Sequence, residues 1–139
     1  MPTSLNSSVS AKEIGYGVVQ TLRKRITFAD AGLTKTVGKL PPGSTVVSGG
    51  VHVVTVFNSS GTDLLSVGYI GATTVAAAYG SALDMSAIGL IALDELASVT
   101  NIQGTVEHTV TCAYAQSVAD ATAGVADVIV NYVTAYPTS

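Results

Sequence analysis

Residues 105–115 alternate almost without interruption. Val106, His108, Val110, Cys112 and Tyr114 point one way, and Thr105, Glu107, Thr109 and Thr111 the other. Two residues is the side-chain repeat of an extended chain, so such a run predicts a strand with one buried face. The pattern returns, nearly free of charge, in the C-terminal run that begins at Val125 and extends to residue 136. A half-buried strand has no stability alone. Several of them require a fold built of packed sheets.

The rest of the chain supplies the other strands. Residues 18–28 place Val18, Leu22, Ile26 and Phe28 on one face, interrupted by Gln20 and Lys24, with Thr21, Arg23, Arg25 and Thr27 opposite. Residues 34–40 read as a weaker strand. Pro41-Pro42-Gly43 predicts a tight turn, because proline presets φ and glycine permits positive φ. Residues 44–57 form a long Val- and Thr-rich strand. Gly49-Gly50 inside it predicts a bulge or a bend between two sheets. A loop at 58–61 and a strand over 64–71, with Leu65, Val67 and Tyr69 on one face, come next. Residues 73–82 are small and read as connection, and 58–63 and 71–82 together supply the long crossovers. Residues 89–97 fit a helix or a short strand and loop, and the strand and loop are preferred. Several strands separated by Gly, Pro, Ser and Asn predict an all-β antiparallel sandwich. A jelly roll of about eight strands is the usual closure at this size, and an immunoglobulin-like sandwich is the alternative, without its Cys and Trp signposts. Residues 1–15, small and polar, read as an extended N-terminal arm. Residues 16–139 read as one sandwich domain.

Composition narrows the function. Only 11% of the 139 residues are charged, against about 25% in ordinary soluble domains. Much of the surface is therefore Ser, Thr, Ala and Gly, which is easily covered by a partner, so an oligomer or docked subunit is expected. The formal charge of −3, with Arg23-Lys24-Arg25 the only dense basic run, lacks the basic footprint of a nucleic-acid binder. A single cysteine, Cys112, precludes an intrachain disulfide. The N-terminal run does not have the pattern of a signal peptide. The apolar stretches fall short of the ~20 residues of a membrane span. The chain reads as soluble and made in the cytoplasm, with no nucleic-acid or membrane partner.

No catalytic constellation is legible. His108 and Cys112 share a face but lie about 13 Å apart along a strand, beyond shared metal ligation or a nucleophile–base pair. His52 stands among apolar neighbours on another strand. They read as packed side chains. Asp84, Asp94 and Glu95 are the nearest acidic cluster, without the ligand density of a calcium loop. A pair of carboxylates flanking a cleft, as in a glycosidase, would have to be assembled in space, and nothing in the sequence favours one. Neither a Gly-x-Ser-x-Gly elbow, a phosphate loop, a dinucleotide fingerprint nor a zinc pattern occurs. Tyr69, Tyr79, Tyr114, Tyr132 and Tyr136 fit core and interface gaps better than a sugar platform. No enzyme, cofactor or metal is expected.

Against that background several segments carry a resemblance. They are Leu40-Pro-Pro-Gly-Ser-Thr-Val-Val, Val51-His-Val-Val-Thr-Val-Phe-Asn, Leu64-Leu-Ser-Val-Gly-Tyr, Tyr79-Gly-Ser-Ala-Leu-Asp-Met-Ser-Ala-Ile-Gly89 and Ala121-Thr-Ala-Gly-Val-Ala-Asp-Val-Ile-Val-Asn-Tyr. In texture and order, over residues 37–133, the chain resembles small virion structural proteins of tailed bacteriophages, most of all capsid decoration, or cement, proteins. The resemblance implies a homotrimer of β-sandwiches on the outer surface of the virion head, with the major capsid protein as partner. Contact with that partner is expected from the arm, through Leu5, Val9 and Lys12. Arg23, Lys24 and Arg25 are either docking residues or an ordinary solvated face. A tail or neck subunit, a head fibre and a glycan- or receptor-binding module are the alternatives.

Overall fold

The computed structural model describes residues 18–97 and 106–134. The arm expected over residues 1–15, with Leu5, Val9 and Lys12, lies outside the described residues. Among the described residues eight strands follow one another: β1 (Gln20–Thr27), β2 (Thr34–Leu40), β3 (Thr45–Thr55), β4 (Asp63–Ile70), β5 (Thr74–Asp84), β6 (Gly89–Ala92), β7 (His108–Gln116) and β8 (Val125–Val133). A single 3-10 turn, Phe28–Asp30, joins β1 to β2.

Two antiparallel four-stranded sheets result, ordered β1-β8-β3-β6 and β2-β7-β4-β5. Only β4 and β5 form a hairpin within one sheet, and every other connection crosses to the opposite sheet. This is the double Greek key of a jelly roll. An immunoglobulin sandwich groups its strands as ABED and CFG, so the strand order excludes that alternative. The inward faces supply the core, including Val46, Val51, Val67, Val110 and Val128. Phe57 packs edge-on against Tyr114 with ring centres 4.8 Å apart. The β2–β3 turn forms where the Pro-Pro-Gly run places it. Gly43 sits at φ +79, and the Ser44 amide donates to the Pro41 carbonyl at 3.2 Å.

Three local expectations are corrected. Gly49-Gly50 neither bends β3 into the second sheet nor forms its bulge. β3 stays beside β8 throughout, and the register slips flank the glycines, between Val46 and Ser48 and between Val53 and Thr55. The glycines permit close approach instead. Gly49 lies at φ +142, where a Cβ would strike the Ile129 carbonyl, and one on Gly50 would strike that of Ile91. Residues 71–82 are not a crossover, since most of them belong to β5. Between the pairs Val67↔Gly80 and Tyr69↔Val75, β4 advances two residues and β5 five. The three surplus residues are a wide irregularity that destroys any alternation. Val106 precedes β7, which begins at His108, and is exposed. Residues 89–97 resolve as β6 followed by irregular chain, the preferred reading.

Candidate interaction surfaces

The outer face of the first sheet is organised by register. Arg25, Asp127 and His52 lie across adjacent strands in one row. Arg23, Ile129 and Gly50 form the next, and Thr21, Asn131 and Ser48 the third. Asp127 is only 2% exposed although it faces outward, because two guanidinium groups cover it. Arg25 donates from Nε to Oδ1 at 2.9 Å and from Nη2 to Oδ2 at 3.1 Å, and Arg23 donates from Nη2 to Oδ2 at 2.6 Å. The hydrogen bonds from Arg25, then those from Arg23, outweigh burial and hold the Asp127 carboxyl down at about 2. The same pairing raises Arg25. Three charges thus leave a net +1, fixed in place. The Thr21 hydroxyl donates to Asn131 Oδ1 at 2.8 Å, and Asn131 Nδ2 donates to Ser48 Oγ at 3.0 Å, closing the third row.

Arg23 and Arg25 are therefore not simply solvated. Both retain more than half of their side-chain surface in water while anchored to Asp127. Lys24, between them, points to the opposite side of the strand. Sequence reasoning did not find Asp127, because its partners lie about a hundred residues away and only the β1–β8 register joins them.

Charge is separated across the molecule. Among the described residues every Lys and Arg lies on β1 or β2: Arg23, Lys24, Arg25, Lys35 and Lys39. These strands form one edge of each sheet. Lys35 pairs with Asp30 at 3.4 Å and Lys39 with Glu107 at 3.5 Å. With Asp127, three acids offset five cations, leaving +2 on this flank. Asp84, Asp94 and Glu95 belong to the opposite flank, on β5 and just after β6, with no cation. They do not converge as metal ligands. Asp84 accepts from the Ser86 amide, and hydrogen bonding by the Ser86 side chain, then by its backbone, lowers the Asp84 pKa, while Asp94 accepts from the Ser81 amide. No group of three His, Cys, Asp or Glu side chains among the described residues could hold a metal ion.

One open recess of about 340 Å³ lies on the first sheet, floored by Gly49, Gly50 and Ile129 and walled by Ser48, Leu90 and Asn131. It holds no titratable group. Cys112 is buried, and burial lifts its thiol to about 11, so it is no nucleophile at neutral pH. His108 stacks on Tyr69 at 4.1 Å. Its Nδ1 has no hydrogen-bond partner among the described residues, and burial lowers its pKa. Tyr69, Tyr79, Tyr114 and Tyr132 are all buried, so none offers a platform for a sugar ring. Tyr136 lies outside the described residues. No described helix is long and apolar enough to cross a membrane.

No family model matches the chain, and no curated protein does. Three solved structures share its fold. A chain of the Cyanophage Pam1 capsid asymmetric unit is 23% identical with a TM-score of 0.64, over 96% of this chain and 98% of that one. A chain of the capsid of Ralstonia phage GP4 is 18% identical with a TM-score of 0.61, over 99% and 93%. A chain of the acidic stable capsid structure of Helicobacter pylori bacteriophage KHP30 is 18% identical with a TM-score of 0.61, over 84% and 87%. The likeness covers at least 84% of this chain and at least 87% of each of the others, so the fold is shared over most of each chain.

Proposed function

We propose that the protein is a virion structural protein, a capsid decoration protein that binds the outside of an assembled phage head and stabilises it. The observation carrying this reading is the fold likeness, over 84% or more of this chain, to chains of three phage capsids. Two further features support it. Arg23 and Arg25 are fixed by Asp127 on an outward face, which suits a surface made for contact. The charge is segregated to flanks, which suits oriented contact with neighbours.

In this reading the partner is the major capsid protein, and copies associate with one another as a homotrimer. A ligand that binds only the assembled shell stabilises that state by mass action. Joining several weak contacts in one oligomer multiplies their effect through effective concentration. The arm, through Leu5, Val9 and Lys12, reaches a neighbouring subunit or the shell. Arg23, Lys24 and Arg25 guide approach to acidic surface, with Arg23 and Arg25 held ready by Asp127. Labelling the protein in intact virions tests the placement. Label distributed over the head is expected. Label confined to the tail or neck would replace this reading with that of a tail subunit.

A further inference from the structure

Two features of the first sheet's outer face adjoin each other. In its middle row Arg23 stands opposite Ile129, Ile129 opposite Gly50, and Gly50 opposite Ala92. Residues in register across antiparallel strands share a face. This row therefore falls from a long cation to an apolar side chain and then to almost no side chain. The rows on either side keep their bulk. His52 stands opposite Leu90 in one, and Asn131 Nδ2 donates to Ser48 Oγ in the other. The recess over Gly49, Gly50 and Ile129 results, with Leu90 and Ser48 in its walls. Close backbone approach explains the two glycines. It does not explain why Leu90, 69% exposed, is left in water beside them.

The charge around the recess is one-sided. On β1, Arg23 and Arg25 are fixed by Asp127, and neither spends its Nη1 on that carboxylate. Donors therefore remain for a second carboxylate, in the planar fork that a guanidinium offers. Asp127 neutralises one of the two cations, so a net +1 is presented. Lys24 faces the other side of β1. Beyond the opposite wall, where the chain leaves β6, come Asp94 and Glu95. Asp94 is turned to the Ser81 amide of β5, in the other sheet. An acidic ligand is thus attracted at the β1 end and repelled at the β6 end.

We propose that this face docks onto the capsid shell, and that a shell segment places a carboxylate on Arg23 and an aliphatic side chain in the Gly49–Gly50 recess. The proposal rests on the decoration reading and names the surface and the partner chemistry which that reading leaves open. Arg23 and Gly50 are two strand spacings apart, about 10 Å. The two partner groups are then about three residues apart in an extended segment, with the acid toward β1. Because Asp127 holds the arginines before contact, forming the new ion pair carries little ordering cost. The aliphatic group adds the apolar burial that an exposed ion pair lacks.

The test uses variants of the full chain, with co-sedimentation on purified expanded shells over a range of salt and thermal melting of each variant. Arg23→Gln leaves Arg25 on Asp127, so it should melt close to the wild type. It should bind shells about tenfold more weakly, with a shallower dependence on salt. Ser48→Leu puts bulk into the recess without changing charge. It should also bind about tenfold more weakly, with the salt dependence unchanged. Leu90→Ser removes part of the wall at an exposed position and should weaken binding in the same way, which keeps the test decisive if Ser48→Leu melts early. Ile70→Ser, on the second sheet, should bind normally. Wild-type affinity in Arg23→Gln, or in a recess variant that melts as the wild type does, would overturn the proposal. Equal weakening in Ile70→Ser would do the same, because the loss would not be local to this face. So would a changed sedimentation coefficient of the free variants with shell binding intact, because the face would then hold a second copy. If the wild type itself binds no shells, the decoration reading falls, and the shell as occupant with it.

Discussion

At the residue scale two titrating groups limit acid tolerance in succession. Asp127 has its pKa depressed to about 2, chiefly by the Arg25 hydrogen bonds. A depressed carboxyl contributes stability above its unfolded pKa of about 3.9, and that stability is lost as pH falls through the folded value. The contribution of the cluster to stability should be complete above about pH 4 and be lost between there and about 2. Asp127→Ala should cost about 1 kcal/mol at neutral pH, below the usual range for hydrogen bonds to charged groups, because both guanidiniums are more than half in solvent. Its melting temperature should depend less on pH across that window. His108 acts earlier. Burial lowers its pKa, so the unfolded chain takes the proton first. Stability is constant above about 6.5 and falls as pH drops below it. His108→Phe keeps a ring against Tyr69 and removes the unpaired nitrogen, so melting should lose its dependence on pH just below 6.5. An unchanged profile would mean that His108 is not buried as described.

At the element scale, legibility followed regularity. The face of β7 from His108 to Tyr114 and the start of β8 were readable because no extra residue interrupts their alternation. β5 was hidden because its three surplus residues opposite β4 shift the inward positions, and its Ala-rich sequence leaves no face to recognise. Gly49-Gly50 signalled something special about β3, but not what. A bulge and a close backbone approach call for the same residue, and only the neighbours distinguish them. Gly49→Ala should therefore be severe, at roughly 2 kcal/mol or more, combining a glycine-only φ with a clash against the Ile129 carbonyl. Chemical denaturation of that variant measures it. Of the candidate contact residues, Arg23, Lys24 and Arg25 were visible as a run. Asp127 was not, because a cross-strand partner is not written in residue type.

At the scale of the whole molecule, the jelly roll brings edge strands β1 and β2 together with all the described cations and leaves Asp84, Asp94 and Glu95 on the other flank. A molecule polarised in this way approaches a charged partner in a preferred orientation, and the effect weakens with salt. Shell association should slow as ionic strength rises. Lys24→Gln with Lys39→Gln, which spares the Asp127 cluster and brings the flank to zero net charge, should flatten that dependence in stopped-flow binding.

The most direct measurement is co-sedimentation of the purified protein with undecorated capsids, expanded and unexpanded, of the virus that encodes it. Saturable binding to expanded shells alone, with a raised shell melting temperature, is the expected result. Absence of binding to either form, at concentrations where the protein is folded, would contradict a decoration role.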